Sequence, residues 1–466
     1  MASSCYFFAL FIKKGDDMST QLRAPIDVQI ELTQTCNQRC AHCYNYWTAD
    51  AGAFGRCHLS REKLREILER LAVNGVPSVT FTGGEPFVRR DILFYGLEKV
   101  GRLGMHASVN SNFSLVTEAD IVELAYYRFP VLVSLLSADA QKHELLSGTP
   151  AGTHGKVLRN LEAASRNGLS FSLNMVLLPE NRDGIREMAA LAKKVGARVF
   201  CATKALPNFG SPDVRYVITS QEVTASLEDL IDAEAEFGQP VEILGCYPKC
   251  LLWGTRAYDR FAHRICVAGK TTLTVGVDGA ARPCSHMEAS FGNVLTEGLS
   301  TIWRRMRGLR CGGVLPRACL DCRILSSCTG GCRVNNLDGK TNAMDMHATP
   351  ERVAAVVPQV SQRKIGKQDQ AAIPGFVQVP GEVRFRQEDF GSVVYRTDRW
   401  SIILVNAKTA AFLKNRRGKG CFRYADYLDN SGAANNNQRS QVARLFRKLL
   451  DKGLLESLDK QTKEVC

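Results

Sequence analysis

The stretch IELTQTCNQRCAHCYNYW, Ile30 to Trp47, sets three cysteines, Cys36, Cys40 and Cys43, within eight residues on the loop that leaves a β-rich run. Three is the informative count. Thiolates spaced C-x3-C-x2-C hold three corners of a cubic 4Fe-4S cluster and leave one iron open to a substrate or cofactor. The competing reading of the loop alone is a zinc site completed by His42 or by a distant residue. The rest of the chain bears on that choice.

From Ile26 to Ala205, short strand patterns alternate with amphipathic helical ones. The strand candidates are IDVQIELT, SVTFTGGEP, MHASVNSN, PVLVSLL, SFSLNMVLL and RVFCATKA, and segments such as SREKLREILERLAVNG lie between them. Repeated strand-helix alternation predicts parallel strands with right-handed crossovers, here a partial (β/α)6 TIM-like barrel with a gap, or an open sheet. Chemistry in such folds sits at the carboxyl ends of the strands, where the three-cysteine loop emerges.

At 466 residues the chain is longer than one core usually organises, so two or three domains are predicted. Its 17 cysteines suit metal ligation in a cytosolic protein better than disulfides, and cytoplasmic localisation is expected. No stretch approaches the roughly 20 apolar residues of a membrane span. MASSCYFFALFIKK does not read as a signal peptide, and Met18 is an alternative start. A net charge of +13 points to an acidic partner, whether nucleic acid, membrane surface or peptide.

CNQRCAHC, with His42 at the aromatic position, and TGGEP (Thr82 to Pro86) after the second strand resemble the motifs of the radical S-adenosylmethionine (SAM) superfamily. The resemblance implies a barrel that binds a 4Fe-4S cluster through Cys36, Cys40 and Cys43. It also implies SAM contacts from His42, Gly83, Gly84, Glu85, Pro86, Asn112 and Ser134. The glycines would let backbone approach the ligand, and Glu85 would face its ammonium. Ser147 stands where many members carry arginine. In the family, an electron from the reduced cluster breaks a carbon-sulfur bond of SAM, and the 5'-deoxyadenosyl radical abstracts a substrate hydrogen. An electron donor such as flavodoxin or ferredoxin is implied.

A second cysteine group spans Cys266 to Cys332. VDGAARPC reads as a β-turn that returns Cys284 toward Cys266, and C-x2-C-x5-C-x3-C runs through Cys319, Cys322, Cys328 and Cys332. This spacing is similar to the SPASM extension, which implies two auxiliary iron-sulfur clusters; a zinc ribbon is the alternative. The resemblance assigns Cys266, Cys284 and Cys332 to the first cluster and Cys319, Cys322 and Cys328 to the second. Each then lacks a fourth ligand, and the cysteine usual 15 to 20 residues past Cys332 is missing. Cys250 is expected to complete the first, with Cys246 as competitor, and His347 the second. Ser285, rather than aspartate, follows Cys284, which disfavours formylglycine formation.

Residues 348–380 read as a linker. Beyond it, VRFRQEDFGSVVYRTDRWSIILVNAKTAAFL predicts strands turning at EDFG and TDRW and a helix from about Asn406; NQRSQVARLFRKLLDKGLL predicts a closing helix. This part resembles the PqqD-like peptide recognition fold, a small winged-helix-like α+β domain. A generic winged-helix domain is the alternative. Residues 381–466 hold 17 Lys and Arg against 10 Asp and Glu, which suits an acidic leader peptide and also DNA. The expected division is 1–22 extension, 23–240 barrel, 241–347 SPASM domain, 348–380 linker and 381–466 recognition domain. The hairpin edge at Val393, Val394 and Tyr395 is expected to pair with a precursor's leader peptide. The expected activity is maturation of a ribosomally made precursor peptide; a maturase of a folded protein, such as a quinone-cofactor enzyme, and a nucleic-acid-binding sensor are the rivals.

Overall fold

The computed structural model describes residues 21–40, 42–45, 57–207, 214–355, 373–374 and 376–458. The extension up to residue 20, Ala41 and residues 46–47 of the cysteine loop, and residues 356–372 of the expected linker lie outside them. The chain divides into two compact units, one built on Arg23–Val356 and the other on Val357–Cys466.

In the first unit, β1 (Asp27–Glu31), β2 (Ser78–Thr82), β3 (His106–Ser111), β4 (Val131–Ser134), β5 (Phe171–Leu177), β6 (Phe200–Lys204) and β7 (Val241–Ile243) run parallel in chain order. Between them lie α1 (Arg61–Val73), α2 (Arg90–Arg102), α3 (Glu118–Tyr127), α4 (Ala140–Ser147), α5 (Thr153–Arg166), α6 (Ile185–Lys194) and α7 (Ser220–Phe237). All six expected strands are present. Each alternates: Val28, Ile30, Val79, Phe81, Val131 and Val133 enter the main apolar core, while their neighbours carry polar groups to the other face. There Asp27 accepts from Ser78 Oγ (2.7 Å), and Thr80 bonds Ser108 (2.9 Å) and Asn174 Thr203 (2.6 Å). The helices follow their sequence signals. α1 is capped by Ser60, whose side chain accepts from the Lys63 amide, and buries Leu64, Ile67, Leu68 and Leu71 at three- and four-residue spacing.

The sheet extends past the expected barrel in both directions. β7 adds to β6, so the boundary at 241 cuts through the sheet. At the other edge, β8 (Thr272–Val275) pairs parallel with β1, and β9 (Ala281–Arg282) pairs antiparallel with β8, giving nine strands in one sheet. A buried ion pair, Glu31 to Arg282 (2.5 Å), spans β1 and β9. The expected linker also starts too early: the helix Pro350–Ala355 lies in the first unit, where Arg352 donates to Leu251 O (3.2 Å).

The second unit has its own apolar core, which includes Val377, Val394, Ile403, Phe412, Phe422 and Phe446. Its β10 (Val377–Gln378) lies inside that expected linker and pairs with β14 (Cys421–Phe422) and β15 (Glu456–Ser457). A second sheet runs β11 (Arg384–Glu388), β12 (Gly391–Arg396), β13 (Ser401–Asn406). Asn406 caps the helix Ala407–Arg416, and the helices Tyr424–Ser431 and Asn436–Asp451 complete the unit. Val393, Val394 and Tyr395 sit in the middle strand, paired with β11 on one side and β13 on the other. They offer no edge, which corrects the expected docking site.

Candidate active site and thiol centres

The three-cysteine loop leaves the carboxyl end of β1 and is held by two neighbouring segments. On one side, the Gly84 amide donates to Thr33 O (2.6 Å) and the Glu85 amide to Thr35 O (2.9 Å). Gly83 adopts φ +141°, and a Cβ on either glycine would overlap backbone of Thr33 to Thr35. The glycines are therefore required for the TGGEP turn to lie against the cysteine loop. On the other side, Ser147 O at the end of α4 accepts from the Arg39 amide (2.9 Å) and the Cys40 thiol (3.8 Å). Ser147, noted above only as a departure from the family pattern, thus braces the loop.

Glu85 is buried, and its carboxylate accepts from the Phe87 amide (3.1 Å), Ser111 Oγ (2.8 Å) and the Asn112 amide (2.8 Å). Burial outweighs those donors and raises its pKa to about 7. Its three donors brace the end of β3. What it fixes is Asn112, whose side-chain amide donates to Asn37 Oδ1 (2.9 Å) and lies 3.9 Å from Cys36 Sγ. Ser134 ends β4 at the same mouth of the sheet. Pro86 starts a short 3-10 turn behind Glu85. His42 follows Cys40 on the loop, and burial lowers its pKa to about 4, which keeps the ring neutral.

Burial pushes the Cys36 thiol up to about 11, and raises Cys40, which also faces Cys43 and Cys36, further. Cys36 is exposed and Cys40 and Cys43 are half-buried, so the loop presents three thiols close together at the mouth of the sheet, and a cationic cluster core there would favour their thiolate forms.

The SPASM-like cysteines gather in two places. Cys246, Cys266 and Cys332 are buried together with Cys284 packed against them. The three thiols perturb one another, Cys246 being held above and Cys266 and Cys332 below the ordinary thiol range. The return of Cys284 toward Cys266 through β8 and β9 is present as expected. The second place is a small cavity lined by Cys250, Cys319, Cys322 and Cys328, together with Ala348 and Pro350. Cys250 therefore sits with the second group, a correction to its expected place with the first. His347 does not line that cavity: its Nδ1 meets Ser220 Oγ (3.1 Å), its amide donates to Asp345 (3.0 Å), and its Nε2 has no hydrogen-bond partner among the described residues.

Two side chains unremarked in the sequence join these centres. Lys204, at the end of β6, is buried with its amine 5.3 Å from the Tyr247 ring. Burial would lower its pKa, but Asp345 and the Cys332 and Cys246 thiols hold it up, so it stays a cation beside the first group. The His286 ring packs 4.9 Å from Tyr44, next to Cys43, and links the cysteine loop of β1 to the Cys284 turn. Proximity in sequence to Cys43 and Cys284 was the available signal for this contact; for Lys204 there was none.

Comparison with known proteins gives independent support. Residues 30–192 match the Radical SAM superfamily, and residues 266–323 match SPASM, the iron-sulfur cluster-binding domain. An AdoMet-dependent heme synthase of Oleidesulfovibrio alaskensis is 24% identical over 322 residues, 65% of this chain and 81% of that protein. The PqqA peptide cyclase of Granulibacter bethesdensis is 25% identical over 391 residues, 78% of this chain and 99% of that protein. Among solved structures, Streptococcus suis SuiB bound to its precursor peptide SuiA superimposes with a TM-score of 0.58 at 19% identity, covering 70% of this chain and 76% of SuiB.

Proposed function

This chain is a radical SAM enzyme with a SPASM iron-sulfur extension, and from that premise we propose that it modifies a ribosomally synthesised precursor peptide by radical chemistry. The observation that carries the reading is the second unit. It has its own core, and its three-stranded sheet has two outer strands, β11 and β13, that pair on one side only among the described residues. Such edges suit addition of an extended peptide strand, and the surplus of Lys and Arg suits an acidic one. The similarity to a PqqA peptide cyclase supports a peptide substrate.

Bound at Cys36, Cys40 and Cys43, a 4Fe-4S cluster with SAM supplies the hydrogen-abstracting radical. The chain's part is positioning. The TGGEP turn and Ser147 fix the loop, Glu85 fixes Asn112 at the mouth, and the Tyr44–His286 contact ties that mouth to the first auxiliary thiol group. A ferredoxin or flavodoxin is proposed as electron source.

The test is coexpression with a candidate precursor peptide, followed by mass spectrometry of the peptide and assay of 5'-deoxyadenosine. The expected result is a peptide mass change of a few hydrogens, which disappears when Cys36, Cys40 and Cys43 are replaced by Ala. The similarity to a heme synthase favours a second reading with a non-peptide substrate. An unmodified peptide, with 5'-deoxyadenosine formation stimulated by a porphyrin, would establish that reading instead.

A further inference from the structure

The thiol groups were paired above by place. The expected fourth ligand of the second auxiliary site, His347, is not among the residues that line that cavity; its Nδ1 meets Ser220 and its amide donates to Asp345. Ala348, sixteen residues past Cys332, lines the cavity but has no ligating atom. A cysteine from another part of the chain does line it. Cys250 lies on the short helix Lys249–Leu252 that follows β7, and it faces the same cavity as Cys319, Cys322 and Cys328.

We infer that Cys250 is the fourth thiolate of the second auxiliary cluster and Cys246 that of the first. The loop after β7 thereby hands one ligand to each. Two further observations support it. The Thr349 amide donates to Cys250 Sγ (3.1 Å), and the Lys249 amide donates to Cys328 Sγ (3.2 Å). Amide donors to sulfur favour the thiolate and raise a cluster's reduction potential. In addition, the first group has four thiols without Cys250, because Cys246 is buried in one cluster with Cys266 and Cys332, and Cys284 packs against it. Both sites are then all-thiolate, and the backbone from Cys246 through Tyr247, Pro248 and Lys249 to Cys250 joins them covalently. This inference does not depend on which substrate the enzyme modifies.

The test compares full-length Cys250→Ala, Cys250→Ser, Cys246→Ala, Cys319→Ala and His347→Ala after anaerobic reconstitution. Iron and sulfide are counted, and reduced samples are examined by electron paramagnetic resonance. The parent should hold about 12 iron atoms, taking four per cubic cluster. Cys250→Ala should lose a third of them and the same resonance that Cys319→Ala loses. Cys246→Ala should lose a different resonance, and His347→Ala none. If Cys250→Ala does not fold, Cys250→Ser carries the test, because an oxygen ligand at that iron shifts the same signal. Full iron and unchanged spectra in Cys250→Ser overturn the inference, as does loss of the Cys319-dependent signal in His347→Ala.

Discussion

Substituting Gly84 by alanine should disable SAM cleavage without touching a cysteine. The added methyl overlaps the Thr35 carbonyl, which is backbone and has no rotamer with which to yield. Moving Thr35 away strains three hydrogen bonds: Gly84 N to Thr33 O, Glu85 N to Thr35 O, and Thr35 N to Thr33 Oγ1 (2.6, 2.9 and 3.0 Å). At about 1 kcal/mol each the loss is about 3 kcal/mol. Thr35 directly precedes Cys36, so that energy falls on the conformation that presents the cluster ligands. A 3 kcal/mol penalty is about 150-fold. The assay is 5'-deoxyadenosine formation under dithionite on protein matched for iron, with thermal unfolding in parallel. The control is Gly101→Ala near the end of α2, where nothing lies within 4 Å; it should be neutral or up to about 1 kcal/mol more stable. Gly84→Ala protein that cleaves SAM within threefold of the parent would refute the idea that this turn clamps the cysteine loop.

Three further outcomes are expected. Glu31→Ala strands the buried Arg282 guanidinium and should cost about 3 kcal/mol in chemical denaturation, with Glu31→Met plus Arg282→Met recovering much of it. Burial raises Asp27 to about 6, so the carboxyl's contribution to stability is intact below its unfolded pKa near 3.8 and is lost as pH rises through 6; Asp27→Asn should therefore gain on the parent, by up to about 3 kcal/mol, between pH 4 and pH 8 in unfolding titrations. Removing the second unit by truncation after Val356 should leave SAM cleavage intact but weaken precursor binding by about 100-fold or more, near 3 kcal/mol, in fluorescence anisotropy. Equal affinity with and without the unit would end the recognition proposal.

The barrel was legible because its signal is local: each strand has a two-residue alternation, each helix a cap and an apolar stripe, and the cysteine and TGGEP motifs lie on the loops that follow β1 and β2. What escaped depends on pairing across long stretches of chain. Nothing in VEI or TLTV says that these strands extend opposite edges of one sheet. The Val393–Tyr395 strand was read as an edge because every strand of an isolated hairpin has one; the third strand, β13, moves it to the middle. Cys246 and Cys250 stand a turn apart, and spacing cannot say that they face different centres. The two-residue strands β10, β14 and β15 are too short to leave a pattern.

The pairing of β8 with β1 also has a consequence during synthesis. β1 finds β2 about 50 residues later, but its other side stays unpaired until residues 272–275 have left the ribosome. Through that interval the nascent chain carries an open parallel strand edge, directly ahead of the cysteine loop. Exposed edges of this kind recruit other chains, and late, non-local pairing lengthens their exposure. A fragment ending near residue 240 would keep every residue of the SAM motifs and still carry that edge permanently. It should accumulate as aggregate, whereas a fragment ending after the Cys284 turn should give more soluble protein, so the SPASM segment acts as an internal chaperone for the strand that feeds the radical site.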